Sequence, residues 1–314
     1  MTGPEGRRGE PASALGARLA IVAAALLFST GGTAIKATAF TAWQVASLRS
    51  AIAAVTLAVL VPRALKALSW RTGLIGVAYA ATMVLYVAAN KQTTAAHAIF
   101  LQSTAPLYIL LLSSRLLGER VRRSDLAWMA LIALGLAAFF AGGQQPLATA
   151  PRPALGNLLG ALSGVSWAFT ILGLRWLGAA EHRRGAGALR ASPGVAAAIA
   201  GNLLACLACL PWALPLGPAA PGDWLAVSYL GVFQIGLAYV LLTPSLERIP
   251  AFEASLLLLI EPAASPLWAW IVHGEVPGAW AWTGGALILA ATTGKAATAE
   301  GRRRRALRAA RGGG

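Results

Sequence analysis

Glu261 stands near the middle of a long apolar stretch and is followed at once by Pro262. A carboxylate so placed could bind an ammonium group or take up a proton. It could equally be a packing carboxylate bonded to a neighbouring helix beside the Pro262 kink, where the backbone ladder lacks a donor. Arg49 is the one basic residue well inside an apolar stretch; it reads as a side chain snorkelling to the near edge or paired with an acid, with substrate contact as the alternative. His97 and Glu253 occupy aligned positions near the starts of two such stretches and could titrate or gate, interfacial placement being the plainer reading. Glu119 and Glu275 end their stretches, where they would cap backbone or pair with Arg.

Uncharged groups in the same stretches complete the set of substrate-binding or coupling candidates: Ser29, Gln102, Trp167, Thr170, Gln234, Tyr86 and Tyr239, with Thr30, Tyr79 and Ser166 nearby. Such groups suit a pocket with an apolar wall and a few oriented hydrogen bonds. Each could also bond helix to helix. Cys206 and Cys209 sit among Ala and Leu, which reads as an inert buried pair; neither a disulfide framework nor a metal site can be built from them, and no cofactor is implied.

The elements that must position these residues follow from composition. Hydrophobic residues make up 57% of the 314 residues and charged ones 12%, about half the charged share of an ordinary soluble domain. A membrane span needs about 20 mostly apolar residues. About ten stretches qualify, near 15–35, 41–62, 72–90, 94–114, 125–143, 154–176, 193–216, 224–244, 251–272 and 278–296, with Pro, Gly or charge at most junctions. Trp43, Trp70, Trp212, Trp224, Trp280 and Trp282 fall near their ends, where interfacial anchoring explains them. Gly156, Gly160 and Gly164 recur at a spacing that stacks them on one helix face and predicts close helix approach.

The formal charge of +15 could suggest nucleic acid. The cations instead form short clusters between apolar runs, which is topogenic, so no nucleic-acid partner is expected. With the N-terminus in the cytoplasm, the cytoplasmic segments hold 22 of the 26 Lys and Arg, and only Lys36, Lys91 and Arg152 fall on the opposite side. Both termini are then cytoplasmic, in a multi-pass inner-membrane chain.

The fourth and ninth stretches share a pattern: Pro106 precedes Gly118-Glu119 as Pro262 precedes Gly274-Glu275, at equal spacing. Phe28 aligns with Trp167, Lys36 with Arg175, and Tyr86-Val87 with Tyr239-Val240. Five spans per half is an odd number, so the second half enters the membrane in the opposite sense. The fold expected is an all-α membrane protein of ten transmembrane helices in two inverted five-helix repeats. Its parts are an N-terminal tail 1–14, a first repeat 15–143, a linker 144–153, a second repeat 154–296 and a basic tail 297–314.

These two Pro-to-Gly-Glu blocks, with Ala254-Ser255 leading through Glu261-Pro262 to His273-Gly274-Glu275, closely resemble the EamA-type group of the drug/metabolite transporter superfamily. The resemblance covers nearly the whole apolar region. It implies a central cavity lined mainly by the first, third, fourth, sixth, eighth and ninth helices. It also implies a secondary transporter of an amino acid, another metabolite or a toxic compound, often outward, an amino acid or related metabolite being the cargo expected here; a small molecule and membrane lipid are the partners expected, with a homodimer as the oligomer to consider. The first-repeat counterpart of Glu261-Pro262 is Ala105-Pro106, so any role of this carboxylate is asymmetric. A membrane-embedded enzyme, a channel and a structural subunit are the alternatives. An enzyme would need a cluster such as H-E-x-x-H or a nucleophile with its base, and His97, His182 and His273 are scattered.

Overall fold

The computed structural model describes residues 10–105, 107–109, 112, 123–141, 146–182, 193–246, 257–258 and 260–312. Glu119, Glu253, Arg248 and Pro106 lie outside them. In chain order the helices are α1 (Glu10–Ser29), α2 (Gly31–Lys36), α3 (Ala42–Leu60), α4 (Trp70–Gln92), α5 (Ala95–Gln102), α6 (Arg123–Ala141), α7 (Pro153–His182), α8 (Pro193–Ala213), α9 (Pro221–Tyr229), a π-helical segment Leu230–Leu237, α10 (Ala238–Leu246), α11 (Ile260–His273) and α12 (Ala279–Gly312). Among the described residues six helical spans are long and apolar enough to cross a membrane, and two shorter apolar helices, Leu126–Gly135 and Ala279–Ala291, accompany them.

Local chemistry sets several ends. Thr41 opens α3 and Ser69 opens α4, each with a reciprocal capping box, so two of the orphan N–H groups of each helix are satisfied before the chain enters an apolar environment. Gly274 closes the turn after α11 with φ +66°, a left-handed conformation that side chains resist. The basic segment after residue 296, expected as a tail, continues helically to Gly312 within α12.

Helix pairing repeats when the two halves are exchanged. The α4–α7 contact has its mate in α1 against α10, α5–α7 in α1–α11, and α4–α8 in α3 against the π segment. The α3–α8, α5–α11 and α6–α12 contacts are their own mates. Close approach depends on small residues: a Cβ added at Gly164 would lie 2.9 Å from the Leu101 carbonyl, and one at Gly156 2.6 Å from Thr93 N. The Gly156, Gly160 and Gly164 row therefore does face α5 and the end of α4, where dispersion replaces the missing hydrophobic drive. Outward, Leu, Val and Trp side chains stay exposed over the spans, with Val59 at 69%, Leu225 at 73% and Ile271 at 71%. That belt suits lipid and would be an aggregation hazard in water.

Candidate functional site

Polar side chains gather at two depths. At one end of the bundle stand the three cations that charge patterning separates from the rest. Lys91 Nζ donates to Thr38 O at 2.6 Å, Arg152 Nε donates to Gln92 Oε1 at 3.0 Å, and Lys36 Nζ donates to Thr93 O at 2.8 Å and also to Thr149 O. Lys36 Nζ meets Glu275 Oε1 at 2.9 Å, both side chains being 2–3% exposed. The second oxygen of Glu275 accepts the Ala95 N–H at 2.9 Å, at the first turn of α5. Glu275 thus caps backbone, and its ionic partner is Lys36 rather than an Arg. Asp223 closes the same end, accepting from Ala39 N at 2.7 Å and Ala220 N at 3.0 Å.

The second group lies mid-bundle. Arg49, on α3, is 1% exposed, its Nη2 donating to Met83 O at 3.3 Å while Nε has no partner. It neither snorkels nor meets an acid: the expected salt bridge is absent among the described residues, and Tyr79, Tyr86 and Tyr239 are its polar neighbours. Tyr79 and Tyr239 pack edge to face at 5.8 Å, and Asn202 Nδ2 donates to the Tyr79 hydroxyl at 3.2 Å. Tyr86 and Tyr239 also neighbour Glu261, which is half-buried in the first turn of α11 and has no ion pair among the described residues. The Tyr86 and Tyr239 aligned by the repeat are therefore neighbours of both the mid-bundle cation and the mid-bundle carboxylate.

Gln234 sits in the π-helical segment, a widened turn often found at functional sites, in which Gly231 packs against the Arg49 carbonyl. Gln234 is buried and its Oε1 has no partner. Gly31 makes room for it, since a Cβ there would come within 2.8 Å of Gln234 Nε2. Asn90 Nδ2 donates to Tyr86 O at 3.0 Å while its Oδ1 goes unmatched, beside Gly32.

The remaining candidates lie in helix seams. Gln102 Nε2 donates to Ser163 Oγ at 2.9 Å, and Thr170 Oγ1 lies 3.5 Å from Thr82 Oγ1, both between α7 and its neighbours. Ser29 accepts from Trp268 Nε1 at 3.0 Å, tying α1 to α11. His97 is 3% exposed, with Nδ1 2.8 Å from Thr94 Oγ1 at the start of α5. Trp167 is half-buried on α7, and no hydrogen bond or ring contact joins it to the Arg49 group. Cys206 and Cys209 are free thiols, Cys209 buried. Lys36, Asn90 and Asn202 are the residues that sequence reasoning passed over. Lys36 carried two usable signals, its place among the three cations set apart by charge patterning and its alignment with Arg175 beside the Glu119 and Glu275 match. Among the described residues no cluster of His, Cys, Asp and Glu is arranged to hold a metal ion.

Comparison with known proteins bears on the family and the fold. A solved crystal structure superposes with a TM-score of 0.61 at 23% identity, over 90% of this chain and 98% of its own, which shows the fold alone. An uncharacterized transporter of Archaeoglobus fulgidus is 30% identical over 210 residues, 67% of this chain and 70% of that protein. The EamA-like transporter family matches twice, over residues 15–141 and 154–294, one copy in each half. With transporter sequence covering both halves, the chain belongs to the EamA-like transporter family and is a multi-pass membrane transporter.

Proposed function

We infer that the protein is a secondary transporter that exports a small organic metabolite, an amino acid or related compound, by alternating access through a central cavity between two inverted five-helix repeats. Ten helices cross the inner membrane in this reading, with both termini in the cytoplasm and Lys36, Lys91 and Arg152 outside. The observation that carries it is the exchange symmetry of the helix pairing together with the doubled family match. Two halves that can trade roles supply inward-open and outward-open states of similar energy. Outward direction and substrate class rest on the family resemblance.

Within this reading Glu261, Tyr86, Tyr239, Gln234 and Arg49 form the substrate site. Removing a guanidinium from water costs several kcal/mol unless an anion or directed acceptors compensate, and Arg49 has only the Met83 carbonyl and sulfur. A substrate carboxylate would supply the missing charge. Glu261, which Tyr86 and Tyr239 also neighbour, is suited to an ammonium group or a proton. Flux into proteoliposomes is the test: a carrier shows saturation and accelerated counterflow with a labelled amino acid. Linear flux without counterflow points to a channel, and no flux of any tested metabolite removes the proposal.

A further inference from the structure

Lys36 and Glu275 join the two halves directly. Lys36 ends α2 in the first matched segment and Glu275 follows α11 in the second. The carboxylate also holds the Ala95 N–H, one of the first-turn donors that an α-helix leaves without an internal partner. The ammonium holds Thr93 O at the end of α4 and Thr149 O in the segment between the halves. Leu147 and Ala150 exchange backbone hydrogen bonds at 3.1 and 2.9 Å, and this tight turn is what brings Thr149 O to Lys36. One buried ion pair thus gathers α2, the α4–α5 junction, the segment between the halves and the α11–α12 turn.

The pair is also the last step of a zipper. Along α11, Trp268 meets Ser29 at 3.0 Å, His273 Nε2 meets Thr33 O at 2.9 Å, and Glu275 meets Lys36 at 2.9 Å. Partner positions advance together along both elements, so α11 lies against α1 and α2 as one edge. Gly274, with φ +66°, turns the chain so that Glu275 points back into that edge. Such an edge can part as a unit.

The energetics permit parting. Glu275 Oε1 stands 2.9 Å from Lys36 Nζ, so the pair brings two full charges together out of water. Desolvation of two buried charges nearly cancels their attraction. Exposure would return hydration to both groups, and closed and open states then differ little, which a cycling gate requires.

We propose that the Lys36–Glu275 pair is the lock of a gate at this end of the bundle, closed in this structure and broken once in each transport cycle. The proposal rests on the alternating-access reading and is tested without knowing the substrate. In a background with Cys206 and Cys209 replaced by Ser, a reporter is placed by Thr33→Cys, behind the lock. Labelling by a membrane-impermeant maleimide is measured in intact cells and in inverted vesicles. With the lock intact labelling is slow. Lys36→Met or Glu275→Gln raises it at least tenfold from the outer face, and Lys36→Arg leaves it within twofold of the parent. Equal labelling of parent and Lys36→Met in both preparations overturns the gate.

A second measurement guards against variants that misfold. Lys36→Cys with Glu275→Cys, bridged by a bifunctional thiosulfonate, abolishes counterflow of the best-transported amino acid, and reductant restores it in the same sample. Undiminished counterflow in the bridged protein overturns the proposal. Absence of saturable flux in the unmodified protein, with labelling still dependent on Lys36, overturns the carrier reading and leaves the lock standing.

Discussion

The two polar regions of this protein treat charge in opposite ways. At the bundle end Lys36 has two backbone carbonyls and a carboxylate, and Glu275 has an ammonium and a backbone N–H. Midway through the bundle Arg49 has one carbonyl and a sulfur, Gln234 Oε1 and Asn90 Oδ1 have nothing, and Glu261 has no counter-charge among the described residues. The end is built to be complete without a ligand. The middle is where a ligand would add most, because buried polar groups with missing partners call for a functional explanation.

The comparison breaks most visibly at Lys36. Lys36→Met removes the counter-charge of Glu275, which costs the closed form about 3–5 kcal/mol while the carboxylate stays buried, so the melting temperature falls. Arg49→Met removes a charge that has no ionic partner, so its melting temperature in detergent holds or rises. Thermal unfolding in one detergent reads both; equal losses would erase the distinction drawn here.

Transport should sort the same residues in another order. Glu261→Gln and Arg49→Met each lower the initial rate of counterflow tenfold or more, equivalent to at least about 1.4 kcal/mol of lost interaction, with folding retained. Rates that match the parent across pH 5–8 would take Glu261 out of the mechanism.

Smaller effects sharpen the boundary between region and seam. Gly274→Ala must place a side chain at φ +66° and costs about 1–2 kcal/mol; it should also speed labelling behind the Lys36 lock, because Glu275 is misaimed. Gln102→Leu breaks a seam hydrogen bond to Ser163 and costs about 0.6 kcal/mol, in the range of interhelical bonds within membranes, with counterflow within twofold of the parent. A tenfold loss there would move Gln102 from the seam into the substrate path.

Legibility differed by residue for physical reasons. Tyr86 and Tyr239 are legible as an aligned pair of the repeat, because duplicated helices bring equivalent positions to a shared interior. The Gly156, Gly160 and Gly164 row was readable because regular spacing predicts one face. Gln102, Thr170 and Ser29 are uncharged polar side chains like Gln234, and only helix rotation distinguishes a seam from the interior. Arg49 looked like a side chain bound for the edge or for an acid, and its burial beside Tyr79 could not be read from the residues around it in the chain.

Hydropathy, charge and the repeated Pro-to-Gly-Glu spacing in the sequence alone determined that this is a duplicated helical membrane protein, since all three are local patterns along the chain. The sequence also singled out Lys36, Lys91 and Arg152 as a minority group of cations. Which acid meets Lys36, where the π segment carries Gln234, and which polar atoms go without partners were decided by the tertiary structure. Those outcomes depend on the rotation and spacing of helices far apart in sequence, which no local pattern encodes.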